Sequence, residues 1–204
     1  MKQLNTKLLT LGFVLTGGLL AAQSLTPFWS EQFTNNIPAG WTNADASNQN
    51  VIWKWCADNA SGCSPVFSGE APFAATSAAT GYVHVNSDAA GLLAQNHVSR
   101  LTTSAIDCSG KSTVFVKFQS HIGTYTVTPA SSGLLRVSTD LNNWTTFTAF
   151  PDLLVANEFS GNPYLSILDI SSVAANKGTV YLQWQWTGNY EYMWDLDDVE
   201  LFDQ

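Results

Sequence analysis

From residue 51 onward, apolar and polar residues alternate with a period of two, the mark of strands with one buried face. "VIWKW" sets Val51, Trp53 and Trp55 against Ile52 and Lys54. "GYVHVN" sets Val83 and Val85 against Tyr82, His84 and Asn86, and "STVFVKFQSHIG" carries Val114, Val116 and Phe118 in one register. "GLLRVSTD" and "WTTFTAF" flank a turn at "DLNN", and "YLSILDIS" follows. "TVYLQWQWTG" places Val180, Leu182, Trp184 and Trp186 on one face and Tyr181, Gln183 and Gln185 on the other; "MWDLDDVELF" closes the chain. The intervening segments are rich in Gly, Pro, Asn and Ser, which favour turns. "DISSVAANKG" predicts one or two helical turns, and no longer helical stripe exists. Roughly nine or ten half-polar strands in one chain imply an all-β fold, an antiparallel two-sheet sandwich of jelly-roll form. With no internal repeat and no linker, one domain is expected over residues 24–204.

The last strand breaks the alternation. In "WDLDDVEL", Trp194 and Leu196 share one face of a regular strand, whereas Val199 and Leu201 fall on the other. A bulge between Asp197 and Asp198 would return all four to the core, because one extra residue shifts the phase by one. It would also turn two adjacent carboxylates towards one point. An ionised carboxylate buried without a partner costs several kcal/mol or more. A hard, oxygen-seeking cation such as calcium would offset that cost; the alternative is a solvated acidic strand end.

The first residues read differently. "MKQLNTK" is a short positive start, "LLTLGFVLTGGLLAA" an apolar run, and "AAQS" a small-residue segment. This is the pattern of a secretory signal peptide over residues 1–23, cleaved between Ala22 and Ser24. A secreted protein, extracellular or at the cell surface, is expected, with no membrane insertion after cleavage. Export permits disulfides. Cys56 and Cys63 bracket the polar "ADNASG" and form the favoured bridge, leaving Cys108 a buried thiol; a Cys56–Cys108 bridge is the alternative. His84, His97 and His121 are scattered and give no thiolate–imidazole metal spacing. "Asn59-Ala-Ser61" fits a glycosylation sequon by chance.

Charge narrows the partners. Lys and Arg number 8 against 16 Asp and Glu, a net charge of −8; without Lys2 and Lys7 the balance is 6 minus 16, or −10. That sign argues against nucleic acid and against an anionic membrane surface, and favours a cation, a glycan or a cell-surface protein.

Several motifs in order resemble those of the cleaved-adhesin, or choice-of-anchor J, domains of secreted Bacteroidetes proteins, which are MAM-like and concanavalin-like jelly rolls. They are Glu31 and Phe33, "IPAGW", Asp45 within "NADASNQN", Trp53, "LTTSAIDCSG", "VSTDLNNW" and Trp194 to Val199. The resemblance covers nearly the whole chain after the leader. It implies a structural calcium tying the first strand to the last, bound here by Glu31, Asp45, Asp197 and Asp198. Two departures thin the ligand set: Thr34 stands where the family often has a second acid, and the loop after Asp45 is mostly Asn, Ser and Ala.

Three functional classes follow. The favoured one is an adhesion or carbohydrate- or protein-binding module, in which exposed aromatics stack on a ligand. Trp41, Trp53, Trp184, Trp186 and Trp194 fall in core registers, so the candidates are Trp55, Tyr190 and Tyr192, with Gln183 and Gln185 as a polar row. The second is a β-sandwich glycoside hydrolase using Asp195, Asp197 and Glu200, an acid-x-acid-x-x-acid pattern that puts carboxylates on one strand face. The third is a structural surface-assembly subunit. No Gly-x-Ser-x-Gly elbow points to a serine hydrolase, and the favoured reading is not an enzyme.

Overall fold

The computed structural model describes residues 26–57 and 60–203. The expected leader and the sequon at Asn59 lie outside them. The described residues form eleven strands: β1 (Trp29–Glu31), β2 (Thr42–Asp45), β3 (Lys54–Cys56), β4 (Tyr82–Asn86), β5 (His97–Thr102), β6 (Phe115–Gly123), β7 (Gly133–Ser138), β8 (Thr145–Thr148), β9 (Tyr164–Asp169), β10 (Tyr181–Gly188) and β11 (Met193–Phe202). They make two antiparallel sheets. One has the order β3-β4-β11-β6-β9, with β1 also pairing β11; the other runs β2-β5-β10-β7-β8. The two-sheet sandwich expected from the alternation is what the chain adopts.

The core between the sheets is built from the predicted inward rows. Trp184 and Trp186 of β10, Trp194 and Leu196 of β11, Phe118 of β6 and Val83 and Val85 of β4 are all fully buried. Trp41 stacks on Trp184 with ring centroids 5.9 Å apart, and Trp53 meets Trp194 edge-on at 5.2 Å. Offset and edge-on pairs are the favoured aromatic geometries, and each large ring removes much apolar area from water.

Three strands, β1, β2 and β5, have no counterpart in the hydrophobic pattern; β1 is only three residues long. β5 turns His97, Ser99 and Leu101 inward, so two of these three inward positions are polar and the alternation is hidden. β2, "TNAD", has the same difficulty. "VIWKW" pairs only from Lys54, yet Val51 and Trp53 enter the core as expected. "DISSVAANKG" supplies a single helical turn, α3 (Ser171–Ala174), after the short α1 (Ser87–Ala90) and α2 (Pro129–Ser132).

β11 is the spine of its sheet. β6 flanks one side; β4 pairs its first half and β1 its second half on the other. Asp197 faces Gln119 and Glu200 faces Lys117, so three steps on β11 match two on β6. Asp198 takes a positive φ of 49° there. The extra residue keeps Trp194, Leu196, Val199 and Leu201 all in the core, as the broken alternation predicts.

A segment spanning residues 60–80 folds over the outer face of this sheet. The Cys56–Cys63 disulfide closes its start, and Cys56, Cys63, Phe73, Ala75, Ala78 and Tyr82 form a second small core. Cys108 is a free buried thiol, and burial pushes it up to about 11.

Candidate functional site

The bulge in β11 brings the chain ends together. Glu31 of β1 lies opposite Val199, and its carboxylate bears electrostatically on Asp197. Ser77, from the covering segment, sits between the two bulge acids: its Oγ is 2.9 Å from Asp197 Oδ2 and 2.9 Å from Asp198 Oδ1, and its N–H donates to Asp198 Oδ2 at 3.1 Å. Gln32 Nε2 donates to Asp198 Oδ1 at 3.2 Å. One hydroxyl hydrogen cannot serve two carboxylates, and Asp197 Oδ1 is buried with no partner among the described residues. Burial, with Asp198 and Glu31 adding repulsion, pushes the Asp197 carboxyl up to about 7.

The fourth acid expected here is elsewhere. Asp45 lies in the other sheet, opposite Ser99. Its carboxylate accepts the N–H and hydroxyl of Ser47 and the N–H of Asn50. It caps its own loop and does not join Glu31 and Asp197, so Asp45 drops out of the expected four-residue set. Among the described residues no three His, Cys, Asp or Glu side chains form a ready-made metal cage. Glu31 Oε1 accepts the N–H of Gln32 and Phe33, and would have to turn from them to reach a shared ion. The donor set otherwise suits a hard cation: three carboxylates, one buried oxygen lacking a donor, and few basic residues nearby.

The hydrolase pattern does not open to solvent. Asp195 and Asp197 are fully buried. Asp195 Oδ1 lies 2.7 Å from His84 Nδ1, and Glu200 pairs with Lys117. On the same face His121 Nε2 lies 3.6 Å from Glu70, and the covering segment closes over both. Ser87 Oγ and His97 Nε2 are 2.7 Å apart, but both residues are fully buried, so this pair offers no accessible nucleophile. Burial pushes His97 down to about 4, with Asp45 and Glu191 acting the other way.

At one end of the sandwich, exposed aromatic rings gather. Tyr125 is 52%, Tyr190 48% and Phe67 42% exposed. Tyr192 links them, with centroids 6.0 Å from Tyr125, 5.6 Å from Phe67 and 4.7 Å from Phe159. Tyr125, Tyr190, Tyr192 and Asp88 line a shallow pocket of about 210 Å³. What holds them is a buried acid. Glu191, 1% exposed, accepts the N–H groups of Tyr125 and Thr126 and the Thr126 hydroxyl. Its own N–H donates to Ser87 Oγ, while Ser87 and Asp88 donate their N–H groups to the Tyr192 carbonyl. Asn189 exchanges two hydrogen bonds with the backbone of Leu93. The turn bearing Tyr190 is thereby tied to α1 and to the segment after β6.

The other expected ligand residues do not join this group. Trp55 lies opposite Val83, is half-buried against the core, and donates its indole N–H to the Phe33 carbonyl at 2.7 Å. Gln183 and Gln185 lie on the outer face of the second sheet, where Arg136 and Arg100 donate to them. Tyr125, Phe67 and Phe159 are missing from the sequence reading because each stands alone in a loop. Only Tyr190 and Tyr192, crowded into "NYEY", give a local signal.

No protein-family model and no curated protein sequence matches the chain. Its fold does match solved structures. The K1 cleaved adhesin domain of Lys-gingipain from Porphyromonas gingivalis W83 is 21% identical, over 86% of this chain and 98% of that domain, with a TM-score of 0.52. The K3 domain of the same protein is 16% identical, over 87% and 100%, at 0.52. The K2 domain is 15% identical, over 86% and 97%, at 0.51. By motif order and by architecture alike, the chain has the fold of the cleaved adhesin domains.

Proposed function

We propose that the chain is a secreted, non-catalytic adhesion module that binds carbohydrate at the aromatic end of the sandwich. The observation that carries this is the Tyr125–Tyr190–Tyr192 cluster beside Asp88, fixed from below by the buried Glu191 carboxylate. Flat apolar rings offer stacking surfaces for sugar faces, and a carboxylate at the pocket edge accepts hydroxyl hydrogens. Because the rings are already ordered, little conformational entropy is lost on binding. The fold it shares with adhesin domains agrees with this reading. The burial of Asp195 and Asp197 argues for binding without hydrolysis.

Calcium in this reading is structural. Glu31, Asp197 and Asp198 would hold it, and its charge would compensate carboxylates that otherwise repel where the first and last strands meet. A glycan array probed with the calcium-loaded protein and with Tyr190→Asn tests the function. Asn tolerates the positive φ of 59° at this position, so the substitution removes the ring and spares the turn. Retained glycan binding by the variant, or sugar release from a bound glycan by the wild type, would refute the proposal.

A further inference from the structure

The chain contains two arginines, Arg100 and Arg136, and the fold sets them on the same open face. On β10 the outward residues are Tyr181, Gln183, Gln185 and Thr187, since Leu182, Trp184 and Trp186 point into the core. Arg100 of β5 lies opposite Gln185, and Arg136 of β7 lies opposite Gln183. Gln185 Oε1 accepts from Arg100 Nε at 2.8 Å and from Arg136 Nη1 at 3.2 Å, and Gln183 Oε1 accepts from Arg136 Nη1 at 2.6 Å. One neutral amide oxygen therefore bridges two cations.

No carboxylate compensates them. In the five strands of this sheet the only acid is Asp45, whose register partner Ser99 is buried on the inner side. Asp140, in the turn after β7, is taken up by Ser138, Asn142 and Asn143. Among the described residues neither arginine has an ion-pair partner, whereas Lys111 and Lys117 each have one. In a chain of net charge −8, with acids in excess, this pairing of like charges is against the grain. Arg136 is further fixed by Trp144, whose ring centre lies 5.2 Å from its guanidinium carbon. Partial burial, and after it the repulsion of Arg100, lower Arg136 from its usual range.

The rest of the face is hydroxyl and amide. One row across the five strands reads Thr42, Thr102, Gln183, Arg136, Thr146. Four strand spacings of about 4.8 Å make it roughly 19 Å long; Thr102 and Gln183 at its centre are 6% exposed and bonded to each other at 2.9 Å, so an extended polar chain laid along it meets the two arginines and the exposed Thr42 and Thr146.

We infer that this face is a second binding surface, independent of the aromatic end, for a uronate-bearing polysaccharide whose carboxylates dock on the Arg100–Arg136 pair. Guanidinium forks match carboxylates in a bidentate manner, and the exposed Thr42 and Thr146 hydroxyls suit sugar hydroxyls. Affinity electrophoresis in gels containing polygalacturonate, neutral galactan or dextran sulfate tests it. We expect retardation by polygalacturonate that weakens with salt. Arg100→Ala and Arg136→Ala should each lower the affinity about tenfold, the 1.4 kcal/mol scale of a lost charged contact. Arg136→Lys, which keeps the charge and loses the fork, should be intermediate. Tyr190→Asn should be retarded like the wild type, so this surface and the aromatic one fail separately. No retardation by polygalacturonate, or equal retardation of the folded alanine variants, would overturn the inference. Retardation by dextran sulfate alone would overturn the uronate assignment.

Discussion

The buried carboxylate of Glu191 accepts the backbone N–H of Thr126 at 2.8 Å, across 65 positions of sequence. With the neighbouring N–H of Tyr125 it forms a tie between the β10–β11 turn and the segment after β6. This tie sets Tyr125 beside Tyr192. Both N–H groups go to one carboxylate oxygen, Oε2, and the Thr126 hydroxyl to the other, so removing the side chain strands two N–H groups together. We expect Glu191→Ala to lose about 1–3 kcal/mol of stability, the cost of an unsatisfied buried group, and to weaken glycan binding more than Tyr190→Asn does. Urea unfolding and a binding titration on the same sample measure both.

Asp197 is the acid least able to bear its charge alone. A cation held by Glu31, Asp197 and Asp198, as proposed, would stabilise the folded chain by mass action, by about 2.7 kcal/mol at a hundred times its dissociation constant. For a domain of this size that corresponds to a rise in Tm of roughly 5–10 °C. Calcium should raise the wild-type Tm, chelator should reverse the rise, and Asp197→Asn should melt at one temperature in both. Equal melting of the wild type with calcium and with chelator would remove the ion from the structure.

His84 and Asp195 are both buried, and each ring nitrogen or oxygen outside their 2.7 Å contact lacks a partner among the described residues. Removing one member leaves the other stranded, which costs about 3–5 kcal/mol. Removing both as His84→Leu with Asp195→Leu should cost less than the sum of the two single changes. A double-mutant cycle in urea reads that coupling directly.

His97 gives the fold an acid limit. Burial holds it near 4, below the ordinary histidine value of about 6.5. Between those values the unfolded chain binds the proton and the folded chain does not, so stability is full above about 6.5 and falls as pH drops towards 4. The difference corresponds to at most ~3 kcal/mol. In a series of unfolding curves from pH 7 to 4, His97→Gln should flatten that part of the decline. An unchanged slope would place the acid sensitivity elsewhere.

The sandwich was legible wherever one strand face is apolar: β4, β6, β10 and β11 all lie where alternation put them. The bulge was legible too, because Trp194 with Leu196 and Val199 with Leu201 cannot share a face of a regular strand. β2 and β5 were not, since His97, Ser99 and Asn43 fill inward positions with hydrogen-bonded polar groups. The site was legible in part. Acids at opposite chain ends invite a shared ion, and β1 does pair beside the bulge, with the Glu31 carboxylate turned to the Gln32 and Phe33 N–H groups. Asp45 shows the weakness of that reasoning, because Ser47 and Asn50 satisfy it locally. Tyr125, Phe67 and Phe159 come from separate loops, and only folding reveals that they converge on Tyr192.

The aromatic end is tested most directly by titrating the best array glycan into wild type, Tyr190→Asn and Tyr125→Ala while following tyrosine and tryptophan fluorescence. We expect saturable binding by the wild type and at least a tenfold loss in each variant, with melting temperatures unchanged. Wild-type affinity in both folded variants would contradict carbohydrate recognition at this end of the molecule.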